Sequence, residues 1–336
     1  MEMSRVRLPL FPTSTTGRWC RSLELDEARR NWASGKGDLG RVLDLEQGHL
    51  RRWVEQQAAA GLDLVTDGEM WRDADGIWLI RWLEGVRLER NPATGRPRAR
   101  CAGPLARRAS LAGDRLRQLL TFSSAPLKLS LPGPHFLLRL FDDPAGPEDA
   151  SDAALEVGRA LLDLLKEEAR ELCAAGVAML VLDETTPSFT GMDALPQTLG
   201  LVNGVTDLLH EVSAVRTVIR LGEDPGPCPP EWVQGLRASQ LELGRALAVH
   251  DVLPHLGGKE LGVAVVDLCP SGEVMQEQQV AELSSLMEAV GSDKIFLTAR
   301  GDAVGAPFAA PPREDLLQGK LEMLARTALE LRQHAM

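Results

Sequence analysis

Carboxylates and arginines gather at one kind of place in this sequence, at or just beyond the ends of short apolar runs. Arg18 and Trp19 follow "PLFPTSTTG", Glu69 ends "LDLVTDGE" with Arg72 three residues on, and Asp183 and Glu184 close "VAMLVLDE". Arg220 stands near the end of "VRTVIRLG", Glu242 and Arg245 belong to "SQLELGR", Asp267 and Cys269 to "LGVAVVDLC", and Arg300 and Asp302 to "KIFLTARGD". Two carboxylates facing one pocket bind an ammonium and repel each other when the pocket is empty. A guanidinium offers paired donors to such a carboxylate. Any one of these residues could be a polar strand cap, but buried charge is costly, so the set as a whole points to a ligand site.

The elements that must position these residues alternate in a regular way. The pattern "DLEQGHLRRWVEQQAAAG" predicts a helix over 44–60 closed by Gly61, followed at once by the strand-like "LDLVTDGE". Residues 152–176, "DAALEVGRALLDLLKEEARELCAAG", repeat the arrangement with Gly176 before "VAMLVLDE". With "LKLSLPGP" and the runs above, the strand candidates number eight, which predicts a single (β/α)8 TIM barrel spanning 1–336. A doubly wound open sheet is the rival, but no G-x-G-x-x-G turn follows any strand. The polar stretch "VRLERNPATGRPRARCAG" breaks the rhythm and predicts an inserted hairpin after the second strand, within an insertion of about 73–125. In such a barrel the site lies at the C-terminal strand ends, where the carboxylates and arginines fall.

With 336 residues, 44% apolar and 25% charged, the chain has the composition of an ordinary globular protein. A net charge of -11 argues against nucleic acid or an anionic membrane as partner. No apolar run approaches membrane-spanning length and the N-terminus lacks a signal pattern, which predicts a cytoplasmic protein. The five cysteines are scattered without a C-x-x-C pair, and none of the six histidines is assigned to catalysis.

The segments "TSTTGRW", "GLDLVTDGEMWR", "LSLPGP", "VLDETTPSF" and "GVAVVDLCPSGEV" resemble the catalytic C-terminal barrel of cobalamin-independent methionine synthase and its single-barrel relatives. That family lies in the uroporphyrinogen decarboxylase/methionine synthase-like superfamily. The resemblance covers nearly the whole chain. It implies that Glu69 and Asp183 hold the amino group of an amino-acid substrate, with Arg18, Trp19 and Arg72 beside them. It also implies zinc ligands at four positions, which here hold Val218, Arg220, Glu242 and Gly301. Three of the four are not metal ligands, so we expect no zinc and no other cofactor.

On this reading Arg220 replaces the metal's charge and pairs with Glu242, and Arg220, Glu242 and Asp267 carry the chemistry. The expected activity is group transfer, methyltransferase-like, or elimination on a small amino acid or thiol, with room for a separate methyl-donor protein. The alternative is a non-catalytic binding or structural barrel that has kept the fold and lost the chemistry.

Overall fold

The computed structural model describes residues 6–19, 21–72, 77–90, 97–111, 113–141, 152–184, 195–212, 215–221, 229–243, 252–268, 277–301 and 314–335. Arg245, Cys269 and Asp302 lie outside these described residues. Nine strands are described: β1 (Thr13–Thr16), β2 (Leu83–Arg90), β3 (Pro97–Arg107), β4 (Lys128–Pro132), β5 (Met179–Glu184), β6 (Arg216–Leu221), β7 (Gln240–Leu243), β8 (Glu260–Asp267) and β9 (Ile295–Arg300). Seven of them form one parallel sheet in the order β1-β9-β8-β7-β6-β5-β4, while β2 and β3 pair antiparallel as a separate ribbon. Among the described residues no helix is long and apolar enough to cross a membrane.

The helices that bear on the site are α1 (Leu23–Ala33), α2 (Leu39–Ala60), α3 (Ile77–Trp82), α4 (Gly113–Phe122), α5 (Pro134–Phe141) and α6 (Asp152–Ala174). The glycine stops operate as expected. Gly61 takes the left-handed conformation at φ 77° as the C-cap of α2, and Gly176 follows α6 at φ 96°. Helix α2 starts five residues earlier than its apolar pattern predicts, because the Asp38 carboxylate accepts from the Gly40 and Arg41 amides as an N-cap.

The second expected strand, 62–69, does not form a ladder. Its only bridge is Val65 to Leu127. The segment still joins the two sheet edges, since Leu64 N donates to Thr13 O, Val65 N to Pro126 O, and Lys128 N to Val65 O. Beyond that point Gln57 of α2 intervenes, accepting from Thr66 N at 3.0 Å and donating to Thr66 O at 2.9 Å. A side-chain amide thus takes the bonds a neighbouring strand would have made. The result is a TIM-like barrel of seven strands with one side bridged by this segment.

Residue alternation sorts the strands into two faces. Leu129, Leu131, Leu180, Leu182, Ile219, Leu221, Leu241 and Leu243 join the main core under the helices. The alternate positions point inward. Met179, Val181 and Val218, with Leu64 and Phe296, make a separate apolar plug. Above it Asp183, Arg220, Glu242 and Gly262 fall in one register row across β5, β6, β7 and β8. The barrel interior is therefore apolar at one level and charged at the next.

The turn after β9 is packed against the turn after β1. Gly301 N donates to Thr16 O at 2.7 Å, and a Cβ added at Gly301 would lie 2.3 Å from the Arg18 carbonyl oxygen. Gly301→Ala is expected to lower the urea unfolding midpoint by the equivalent of about 1–3 kcal/mol, as overpacking does. An unchanged midpoint would show that the two turns separate without cost.

Candidate functional site

Six charged side chains meet inside the barrel mouth, all at 5% exposure or less: Glu69, Asp183 and Glu242 against Arg72, Arg220 and Lys128. Arg220 uses both edges of its guanidinium. Nε and Nη2 donate to the two oxygens of Asp183, and Nη1 and Nη2 to the two oxygens of Glu69. Its remaining Nη1 hydrogen goes to the Thr16 hydroxyl at 3.0 Å. All five donors of the guanidinium are engaged.

Arg72 closes the other side of the same carboxylates, with Nη2 donating to Glu69 Oε2 and Asp183 Oδ2. Its guanidinium carbon sits 5.8 Å from the Trp71 ring and 5.7 Å from the Phe136 ring. Arg72 Nε and Nη1 are buried with no hydrogen-bond acceptor among the described residues.

The expected contact between Arg220 and Glu242 is not what the structure contains. Glu242 pairs with Lys128, whose Nζ also donates to Ser14 Oγ at 3.1 Å and to Thr15 O at 3.3 Å. Thr16 donates its hydroxyl to Glu242 and accepts from Arg220, so the two residues share one hydroxyl but form no ion pair. The reason is reach. Lys128 is an inward position of β4 with a long side chain, while Arg220 is already held by two carboxylates. Lys128 was legible in principle, because "KLSLP" alternates polar inward positions with leucines that face the core.

The remaining expected residues are dispersed around this cluster. Asp267 pairs with Arg300 at the register position the two share at the ends of β8 and β9, with 24% of its side chain exposed. Trp19 stacks on Trp53 of α2, centroids 4.5 Å apart and planes 8° from parallel. Arg18 is buried and its carbonyl faces Gly301. Glu184 is fully buried and accepts from the Phe136 amide at 2.8 Å, capping α5 from outside the charged row. Arg216, at the start of β6, pairs with Glu260 and lies 5.4 Å over the Phe296 ring, at the opposite end of its strand from Arg220.

Glu69 is held in an uncommon backbone conformation. Its φ is 49°, directly after Gly68 at 67°, and its amide donates to Asp67 Oδ1 at 3.0 Å. Such left-handed placement of a non-glycine residue costs about 1–3 kcal/mol and turns its side chain toward Arg220. A cavity of about 220 Å³, counting the part open to solvent, lies at this point, with Thr16, Thr66, Glu69, Lys128, Ser130 and Arg220 in its wall.

Burial pushes the Glu69 carboxyl up, but the Arg220 and Arg72 guanidiniums outweigh it and hold the group well below the usual carboxylate range. Burial draws the Lys128 ammonium down, against the opposing pull of Glu242. Burial likewise opposes the charge on Arg220, yet Asp183 and Glu69 raise it far above its ordinary value.

No protein-family model matches the chain. A 5-methyltetrahydropteroyltriglutamate–homocysteine methyltransferase of Aeromonas salmonicida is 26% identical over 189 residues, which is 54% of this chain and 24% of that protein. The chain therefore matches about a quarter of the length of that relative. Among solved structures, a B12-independent methionine synthase of Shewanella in complex with selenomethionine superposes with a TM-score of 0.71 at 21% identity, covering 97% of this chain and 99% of that one. A Listeria monocytogenes protein assigned to the same class gives 0.68 at 18% identity, over 97% of this chain and 99% of its own. Fold and rim thus define a TIM-like barrel with its polar site at the C-terminal strand ends. The chain is similar in fold to B12-independent methionine synthase-like barrels, and in sequence, over 189 residues, to the Aeromonas protein.

Two outcomes test the cluster. Removing one partner of a buried ion pair typically costs about 3–5 kcal/mol, whereas replacing both by apolar residues can be neutral. Lys128→Met is therefore expected to be strongly destabilising in urea, and the double change with Glu242→Leu to recover most of the loss. Additive effects would show that the two groups are not coupled.

The second test concerns acid. Because the folded pKa of Glu69 lies below its ordinary 4.5, its contribution to stability is present above that value and disappears as pH falls through the folded one. Glu69→Gln is expected to flatten the decline of stability below about pH 4, followed by urea unfolding at successive pH values. A decline parallel to that of the unaltered protein would remove Glu69 from the ion cluster.

Proposed function

We propose that this chain is a methyltransferase-like barrel that takes a small amino acid or thiol at the rim formed by Glu69, Asp183 and Arg220, and that it does so without zinc. The observation that carries the proposal is the pair of bidentate contacts from Arg220 to Glu69 and Asp183. The guanidinium occupies the place between two carboxylates where a ligand's ammonium would sit. The cluster is balanced, three carboxylates against three cations, so an entering ammonium must displace Arg220 rather than join it. The selenomethionine held by the Shewanella barrel supports an amino acid as ligand class.

Zinc is not supported by the donor set. Val218 belongs to the apolar plug, Arg220 is a cation, Glu242 is occupied by Lys128 and Thr16, and Gly301 has no room for a side chain. Lys128 and Arg220 supply positive charge where a metal would, and in methyl transfer to a thiol they would stabilise the thiolate that attacks the methyl carbon. Arg72 is the residue with buried donors available for a ligand carboxylate. Asp267, with 24% of its side chain exposed at the rim, is the group placed to exchange a proton with solvent. The methyl group would come from a separate donor, and the same proposal treats 1–336 as one barrel carrying the insertion of about 73–125.

A second possibility has its own support. Arg220 has no donor left and every charge in the row is matched, which is the arrangement of a barrel that has filled its site with its own side chains.

Calorimetric titration of homocysteine and methionine into the unaltered protein, Arg220→Met and Glu69→Gln separates the two. Weak binding that tightens about tenfold or more in Arg220→Met, from the vacated carboxylates, and is lost in Glu69→Gln is the expected result. Absence of binding to both the unaltered protein and a folded Arg220→Met would assign the non-catalytic role.

A further inference from the structure

A second cavity lies beside the barrel mouth, between α2 and the chain that runs from α3 to α4. It encloses about 810 Å³, counting the part open to solvent, against about 220 Å³ in the mouth itself. One residue, Asp67, borders both cavities, so this one sits directly behind the loop that carries Glu69.

Three indoles build its wall. Trp71 and Trp78 meet edge to face with centroids 5.7 Å apart, and Trp78 and Trp82 lie 6.3 Å apart with planes 23° from parallel. The charges nearby are already matched. Both oxygens of Glu46 accept from Arg81, at 2.7 and 3.2 Å, and Glu46 accepts from Arg29 as well. Asp67 accepts from the Trp71 indole at 2.7 Å and from the Glu69 amide.

One polar group in this wall is not matched. Among the described residues the Trp82 Nε1–H has no acceptor, although its side chain is only 1% exposed. Buried indole donors normally find a partner, and leaving one unmet is unfavourable. Nothing in the barrel chemistry explains three tryptophans and an orphan donor at this place.

We propose that this cavity is a second ligand site, which takes an uncharged aromatic molecule of one or two rings carrying a hydrogen-bond acceptor for Trp82 Nε1. Indole faces and edges select an aromatic ligand. The paired state of Glu46, Arg81 and Asp67 selects against a charged one, because a buried ion would find no counter-charge. The orphan donor fixes the acceptor and with it the ligand's orientation. The site is independent of the chemistry at Arg220.

Quinoline and naphthalene have the same shape and differ by one ring nitrogen, and quinoline is uncharged at pH 7.5. Their dissociation constants for the full chain are measured by ligand-observed NMR titration. Quinoline is expected to bind about fivefold more tightly, the worth of one ordinary hydrogen bond. Trp82→Phe should erase that difference, and Leu43→Arg, at a half-exposed position on the cavity's edge, should weaken both ligands. Equal affinities in the unaltered protein, a preference for quinoline that survives in Trp82→Phe, or binding of both ligands unchanged in Leu43→Arg would each overturn the proposal, as would no saturable binding by either. Should Trp82→Phe fail to fold by circular dichroism, the comparison in the unaltered protein and in Leu43→Arg decides.

Discussion

Burying six charges in one barrel mouth is the constraint that the rest of this molecule answers to. Glu69, Asp183 and Glu242 cannot lose their hydration unless cations meet them at hydrogen-bond distance, and Arg72, Arg220 and Lys128 do so. Each cation comes from a different element, so the balance can form only when the barrel closes. Lys128 arrives from β4, Arg220 from β6, and Arg72 from the loop that bridges the sheet edges. Ion pairs of this kind contribute little net stability by themselves, but a barrel assembled with one of them misplaced would bury an unpaired charge. The cluster therefore acts more on which structure forms than on how stable it is.

Several otherwise odd local features follow from that requirement. Glu69 adopts a left-handed backbone angle, which brings its carboxylate to Arg220. The second strand gives way to a single bridge, and Gln57 holds Thr66 in place of a neighbouring strand, so that the Asp67–Arg72 loop can turn into the mouth. Arg72 is steadied between Trp71 and Phe136. Thr16 links the two halves of the charged row by donating to Glu242 while accepting from Arg220.

The frame is shared across nearly the full chain with barrels of the methionine synthase-like superfamily, at 18–21% identity. So low an identity over so complete a superposition means that the frame tolerates replacement of most side chains, and that the rim has to be judged on its own residues. Here the rim is a closed set of internal ion pairs. On the proposal made above, an entering amine takes the place of Arg220, which has a carboxylate on each edge.

Much of this was present in the sequence alone. The alternation of apolar runs and amphipathic stretches, with glycines at 61 and 176, determined the repeated helix–strand units and hence the barrel class, because those signals are local. The placement of Asp183 and Arg220 at strand ends was legible for the same reason, since period-two alternation assigns each residue a face, whereas Glu69 sits in a turn after a single bridge. The pairing of those charges was not. Lys128 and Glu242 are 114 residues apart, and Arg220 and Glu69 are 151 apart, so nothing local distinguishes Lys128 from Arg220 as the partner of Glu242. Strand register and side-chain reach decided it. They also decided that Trp19 would stack on a helix, that 62–69 would keep only one bridge, and that three tryptophans would come together around a cavity. These are distances between elements, and only the closed barrel sets them.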